Sequence, residues 1–198
     1  APGTRVSRLE EALYVVKGLL TSEPFTFTGE YYQIAGLQSF PQPTQRPHPP
    51  ILIGAGSKRM LEMAGREADI VNILPKALPA GAISEDPTER LAATITKKID
   101  MIREAAGARF DGIELSLFAT IQLTDDPQSA AEHLIAERGW QGASVDDVLA
   151  MPAVFLGPVE RVVELIQERR ERYGVSYYII ADEEMETVAP VVQHAAGR

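Results

Sequence analysis

Ile51-Leu52-Ile53-Gly54-Ala55-Gly56-Ser57-Lys58-Arg59-Met60-Leu61-Glu62-Met63-Ala64, with Ala68-Asp69-Ile70-Val71-Asn72-Ile73-Leu74 close behind, decides how this chain folds. An apolar triplet, a glycine turn and the spacing of Met60, Leu61, Met63 and Ala64 predict strand, turn and helix. The second apolar run follows almost at once. Short strands apolar on both faces are the mark of a parallel sheet flanked by helices.

Working outward, residues 75–87 are rich in Pro, Ala and Gly and read as a long loop. A helix is expected over Pro87–Ala106, with Leu91, Ile95, Ile99 and Ile102 on one face, Lys97, Lys98 and Arg103 at the cation-favouring end, and Gly107 as its stop. Ile113–Ile121 reads as one strand. Thr124-Asp125-Asp126-Pro127 caps a helix over Gln128–Arg138, and Val145–Ala150 adds two short turns. Val154–Pro158 leads into a helix over Val159–Tyr173 ended by Gly174; Val175–Ile180 is the last strand and Met185–His194 the closing helix. Upstream, Leu9, Leu13, Val16 and Leu20 predict an amphipathic helix within residues 1–21. Residues 22–50 alternate aromatic and polar side chains from Phe25 to Tyr32 and then place five prolines between Pro41 and Pro50, a semi-rigid connector. The chain thus reads as one domain over 1–198, with 51–198 alternating strands and helices, an α/β class with a parallel sheet.

Composition narrows the chemistry. The 198 residues carry 19 Lys and Arg against 28 Asp and Glu, a formal charge of −9, and no Cys. Without clustered cations a nucleic-acid or polybasic membrane surface is not expected. Without Cys there is no disulfide, zinc ribbon or thiol nucleophile. The uncharged stretches are too short to span a bilayer, so a cytoplasmic protein is expected. His48, His133 and His194 lack metal-ligand spacing, and no nucleophile elbow or Gly-Lys-Ser/Thr phosphate loop occurs.

Two α/β architectures compete. A dinucleotide fold needs a third glycine where Arg59 stands, and a doubly wound sheet needs a switch point beside Gly56. A (β/α)8 barrel takes about 250 residues and eight strands, twice the number expected here. Specific residues bear on the choice. Arg8–Leu13 running to Thr21, Pro24–Tyr32, the Pro41–Gly56 segment and the Ala64-x-x-x-Ala68-Asp69 pattern, with Phe155-Leu156-Gly157-Pro158-x-Glu160-Arg161-Val162 and Tyr173-Gly174-Val175, resemble the luciferase-like flavin and deazaflavin oxidoreductases. The likeness is collinear over nearly the whole chain and is similar in particular to the branch that uses coenzyme F420.

That resemblance implies a (β/α)8 TIM barrel of which this chain covers strands five to eight, consistent with a start at Ala1 that reads as an internal piece. It implies hydride transfer between F420, or alternatively FMN, and a small-molecule substrate, or flavin-assisted monooxygenation, in a homodimer. The family's reacting residues lie on strands one to four, so no catalytic residue carries over. An incomplete, non-catalytic half-barrel that pairs with another chain is the alternative.

Within the chain, the turn after the first buried strand is the best-supported site. Two glycines let backbone N–H groups face an anion, and a helix N-terminus adds a positive dipole end. The resemblance assigns cofactor phosphate binding to Gly56, Ser57, Arg59 and Met60, with Ala55 beside them; the plain alternative is a structural turn and cap. Arg59 is either a phosphate contact or a helix-surface cation. Lys76, at the C-terminal end of the second strand, is either a substrate contact or a solvated loop cation. Asn72 is expected to point towards the barrel mouth or to be an ordinary buried amide. Asp182-Glu183-Glu184 read as acid/base carboxylates or as first-turn partners of the closing helix dipole.

Overall fold

The structure is a computed structural model and describes residues 2–21, 23–78 and 81–196. Residues 1, 22, 79, 80, 197 and 198 of the segments expected above lie outside the described residues. Helix α1, Pro2–Leu19, turns Leu13 into the core, and an antiparallel hairpin of β1, Phe25–Thr28, and β2, Gln33–Leu37, packs Phe25 and Phe27 around Tyr14. Glu11 holds the hairpin's turn: its carboxylate accepts the N–H groups of Glu30, Tyr31 and Tyr32 at 2.9, 2.9 and 3.2 Å. Gly29 is small for this reason, since an added Cβ would overlap the Glu11 carboxylate.

The decisive stretch then folds as expected into β3, Leu52–Ala55, α2, Lys58–Glu67, and β4, Ile70–Ile73. The α2 C-terminal carbonyls are satisfied from a distance, because the Arg109 guanidinium donates to Gly65 O at 2.8 Å and Ala68 O at 3.0 Å. The helix expected over Pro87–Ala106 is instead two pieces. A 3₁₀ turn, Pro87–Glu89, is capped by Asp86, and α3, Ala92–Ala106, starts afresh after Leu91 takes an extended conformation. Gly107 stops α3 at a positive φ of 55°, a conformation that glycine adopts without a Cβ penalty.

The strand expected over Ile113–Ile121 also divides, into β5, Glu114–Phe118, and β6, Thr120–Leu123. At Ala119 the chain changes neighbours. Ala119 N–H bonds the Ile179 carbonyl at 2.8 Å, whereas Thr120 N–H bonds that of Ala153 at 2.9 Å. Helices α4, Pro127–Arg138, and α5, Val145–Ala150, follow, the first capped by Asp126 and the second by a Ser144–Asp147 capping box. Val154–Gly157, where the sequence suggests only a lead-in to the next helix, is a further strand, β7, fully buried and parallel to β6. Helix α6, Val159–Tyr173, strand β8, Val175–Ile179, and helix α7, Met185–Ala195, end the chain. Asp182–Glu184, expected in the first turn of the closing helix, form a separate 3₁₀ turn just ahead of α7, whose own first turn carries Glu186.

The main sheet is parallel in the order β3-β4-β5-β8, without reversal, so the described residues contain no doubly wound switch point. Leu61 and Met63 of α2, Ile95, Ile99 and Ile102 of α3 and Tyr173 of α6 share one core cluster with Val71, Ile73, Leu115 and Leu117. These helices therefore cover one face of the sheet. By strand alternation the other face carries Leu52, Gly54, Asn72, Ser116, Phe118 and Tyr177. Leu52, Phe118 and Tyr177 on it are exposed. One-sided helices over a sequential parallel sheet make the barrel type of α/β layer, and the described residues form no closed barrel.

Candidate functional site

The C-terminal ends of β3 and β4 meet in an open cleft of about 790 Å³. Its first wall is the turn between β3 and α2. Gly56 lies against the loop after β4 so closely that an added Cβ would overlap the Pro75 carbonyl oxygen and sit 2.8 Å from that of Leu74. The glycine here is thus required by chain-on-chain approach as well as by any ligand. Ser57 follows as the N-cap of α2 in extended conformation, and its hydroxyl makes no capping bond. The helix ladder opens with Leu61 N–H to Ser57 O at 2.9 Å, leaving the N–H groups of Lys58, Arg59 and Met60 without helical acceptors. No acidic residue stands in that first turn. Free donors, a positive dipole end and a free hydroxyl suit an anion such as a phosphate monoester.

Of the residues expected at this site, Gly56, Ser57, Met60 and Lys76 all line the cleft. Ala55 does not: it is buried in the core, and its carbonyl accepts from Leu74 N–H at 2.8 Å. Arg59 turns to α1, where its guanidinium meets Glu10 at 2.7 Å, Ser7 Oγ at 2.9 Å and Gly3 O at 3.2 Å. The cation that α1 does contribute to the cleft is Arg5, exposed and without an acceptor among the described residues. Its position in a helix packed across α2 is a tertiary fact with no local signal. The Lys76 ammonium has no described partner either.

Glu89 of the cleft wall is anchored from α3. Lys98, expected with Lys97 and Arg103 at the cation-favouring end of α3, is only 6% exposed. Its ammonium runs up to the sheet end and donates to Glu89 at 2.7 Å and to Leu74 O at 2.8 Å. The same Glu89 oxygen accepts Lys76 N–H at 3.1 Å. One ion pair thereby ties both ends of the 75–91 loop to α3. Its only sequence signal was the position of Lys98 one residue before Ile99, on the buried side of α3. Asn72 is a buried amide, donating to Ser116 Oγ at 2.9 Å from the sheet face that the helices leave bare. Asp86, within the loop and in the cleft lining, is held under the usual carboxylate range by the Thr88 hydroxyl and N–H.

Comparison with known proteins bears on this arrangement. A family model described as luciferase-like monooxygenase matches residues 1–190. An FMNH(2)-dependent dimethylsulfone monooxygenase of Pseudomonas putida is 38% identical over 65 residues, 33% of this chain and 18% of that protein. An uncharacterized protein of Mycobacterium tuberculosis is 32% identical over 103 residues, 52% of this chain and 31% of that protein. Among solved structures, EDTA monooxygenase from Chelativorans sp. BNC1 superposes with a TM-score of 0.69 at 16% identity, over 98% of this chain and 59% of that one. Coenzyme F420 dependent tetrahydromethanopterin reductase from Methanopyrus kandleri superposes with a TM-score of 0.63 at 19% identity, over 96% of this chain and 63% of that one. The chain therefore spans less than two thirds of the length of each of these relatives. No described helix is long and apolar enough to cross a membrane. A parallel sheet helical on one face, an anion-ready turn at its C-terminal end and a family match over residues 1–190 lead to one conclusion: the chain belongs to the luciferase-like monooxygenase family.

Proposed function

We propose that the chain is the cofactor-anchoring part of a flavin- or deazaflavin-dependent oxidoreductase, with coenzyme F420 as the leading cofactor and FMN as the alternative. The observation that carries this reading is the acid-free, donor-rich first turn of α2 opening on a cleft of about 790 Å³. Gly56 and Ser57, with the N–H groups of the first α2 turn, would hold the phosphate, and Arg5 and Lys76 would add positive charge at the rim. Met60 supplies apolar wall. When bound, such a group carries hydride chemistry that side chains do not supply; the chain's own residues bind and orient it. A small organic substrate and a homodimeric, cytoplasmic enzyme complete the proposal. Strands β3, β4, β5 and β8 would stand as the fifth to eighth strands of a (β/α)8 barrel, and turnover by these 198 residues alone is expected to be weak or absent.

Titration of the purified chain with F420 and with FMN, followed by calorimetry, tests the reading. Saturable binding of one of them is expected, weakened about tenfold by Arg5→Gln through loss of a charge-assisted contact. Absence of binding by either cofactor would remove it. A second reading, a half-barrel that pairs with another chain, is favoured by the exposed Leu52, Phe118 and Tyr177 on the bare sheet face.

A further inference from the structure

A second cavity, of about 230 Å³, lies over the ends of β4 and β5 and is closed from above by the segment after α4. It shares Leu74, Pro75, Ile83 and Glu89 with the cleft but is otherwise separate. Its body is apolar, built from Ile73, Ile95, Leu117, Met151 and Val154 around the ring of Trp140. Trp140 is 2% exposed, and its indole N–H is buried with no acceptor among the described residues. A buried N–H left unpaired costs stability.

The rim carries Glu85, Glu89, Arg90 and Arg138. Arg90 stacks on the Trp140 ring at 5.5 Å, pairs with Glu85 at 3.2 Å and donates to Ser84 O at 3.0 Å. Glu89 is taken by Lys98 at 2.7 Å. Arg138, the last residue of α4, also lines the cavity and has no carboxylate or carbonyl partner among the described residues. Both rim carboxylates are thus taken, Glu85 by Arg90 and Glu89 by Lys98 from outside the lining, and Arg138 is the rim charge left without a partner among the described residues. Burial lowers the Arg90 pKa, with Arg138 adding to the lowering, so the two guanidinium groups repel each other across the opening.

We propose that this cavity binds a small organic monoanion, an apolar body of a few carbons enclosed beside Trp140 with a carboxylate or sulfonate head placed between Arg90 and Arg138. The head offers acceptor oxygens to the guanidinium groups and gives Arg138 the partner that the described residues do not supply. The volume, below the usual range for drug-sized ligands, limits the body to a short chain or a single ring. Binding here requires no cofactor. Where the cofactor reading also holds, the two sites adjoin across Leu74 and Glu89, and the monoanion is the substrate class.

Trp140 is the chain's single tryptophan, so its emission reports on this cavity alone. The 198-residue chain, without cofactor, is titrated with hexanoate and hexanesulfonate and, in parallel, with hexanol. A saturable change in Trp140 emission is expected for both anions, at least about tenfold tighter than for hexanol. Arg138→Gln, at an exposed position with little risk to folding, is expected to weaken the anions about fivefold and leave hexanol unchanged. Equal affinity for hexanol and hexanoate, no effect of Arg138→Gln, or no saturable emission change with either anion would each overturn the proposal. Because FMN and F420 are absent from the titration, its failure leaves the cofactor reading untouched, and the converse also holds.

Discussion

At the scale of single residues, the site depends on two whose roles come from neighbours far along the chain. Gly56 could be read from sequence as a turn glycine, but not that the loop after β4 runs across it. Gly56→Ala forces that loop away and is expected to cost about 2 kcal/mol, an overpacking effect against backbone that cannot rotate aside. Denaturant unfolding measures the cost, and cofactor titration reads the associated loss of binding. Lys98 and Glu89 have side chains only 7% and 21% exposed. Lys98→Met leaves Glu89 charged without its partner and is expected to cost about 3 kcal/mol. Lys98→Met combined with Glu89→Gln is expected to recover part of that loss, since the second change removes the stranded charge. A double mutant no more stable than Lys98→Met alone would show that Lys98 acts by packing only. Neither partner was legible as buried, because charged residues on a helix are ordinarily solvated and a strand-end carbonyl 24 residues away has no local signature.

At the scale of elements, helices were read well where caps and apolar spacing agree, as in α4 behind Asp126-Pro127 and α6 ahead of Gly174. Ser144→Ala, which removes the capping box of α5, is expected to lower stability by about 1 kcal/mol in thermal or denaturant unfolding. The errors fall where tertiary pairing overrides a continuous apolar run. β5 and β6 differ only in which strand lies beside them, and the switch at Ala119 is invisible in the composition of Ile113–Ile121. β7 has no local signature, because four residues followed by Pro158 look like a lead-in to α6 until β6 pairs with them. The hairpin of β1 and β2 offers a pH-dependent element. Desolvation raises the Glu11 pKa, but the N–H groups of Tyr31, Glu30 and Tyr32 outweigh it and hold the carboxyl below its ordinary value. Its folded pKa is thus depressed, so its contribution is complete above about pH 4.3, the ordinary glutamate value, and is lost as pH falls through the lower folded one. Amide chemical shifts of Glu30, Tyr31 and Tyr32 are expected to titrate together in that acid window, and Glu11→Gln to abolish the titration.

At the scale of the molecule, the main sheet has β3 and β8 at its two edges, helices on one face and exposed apolar side chains on the other. Unpaired strand edges and a bare apolar face favour association. The chain in solution is expected to self-associate in size-exclusion chromatography with light scattering, and Leu52→Lys with Tyr177→Lys to shift it towards monomer. A wild-type chain that runs as a stable monomer would remove the pairing reading. The sequence by itself determined the α/β alternation, the glycine turn after the first buried strand and the family, because strand period, helix period, caps and turn residues are local properties of the chain. It also marked Gly56, Ser57, Met60 and Lys76, which do line one cleft. Only the tertiary structure decided that Arg59 serves α1 while Arg5 reaches the cleft, that Lys98 is buried under the 75–91 loop, and that Trp140 and Arg138 close a second cavity. Those facts depend on which distant segments the sheet order brings together, and long side chains of the same type take opposite roles according to the neighbour they meet.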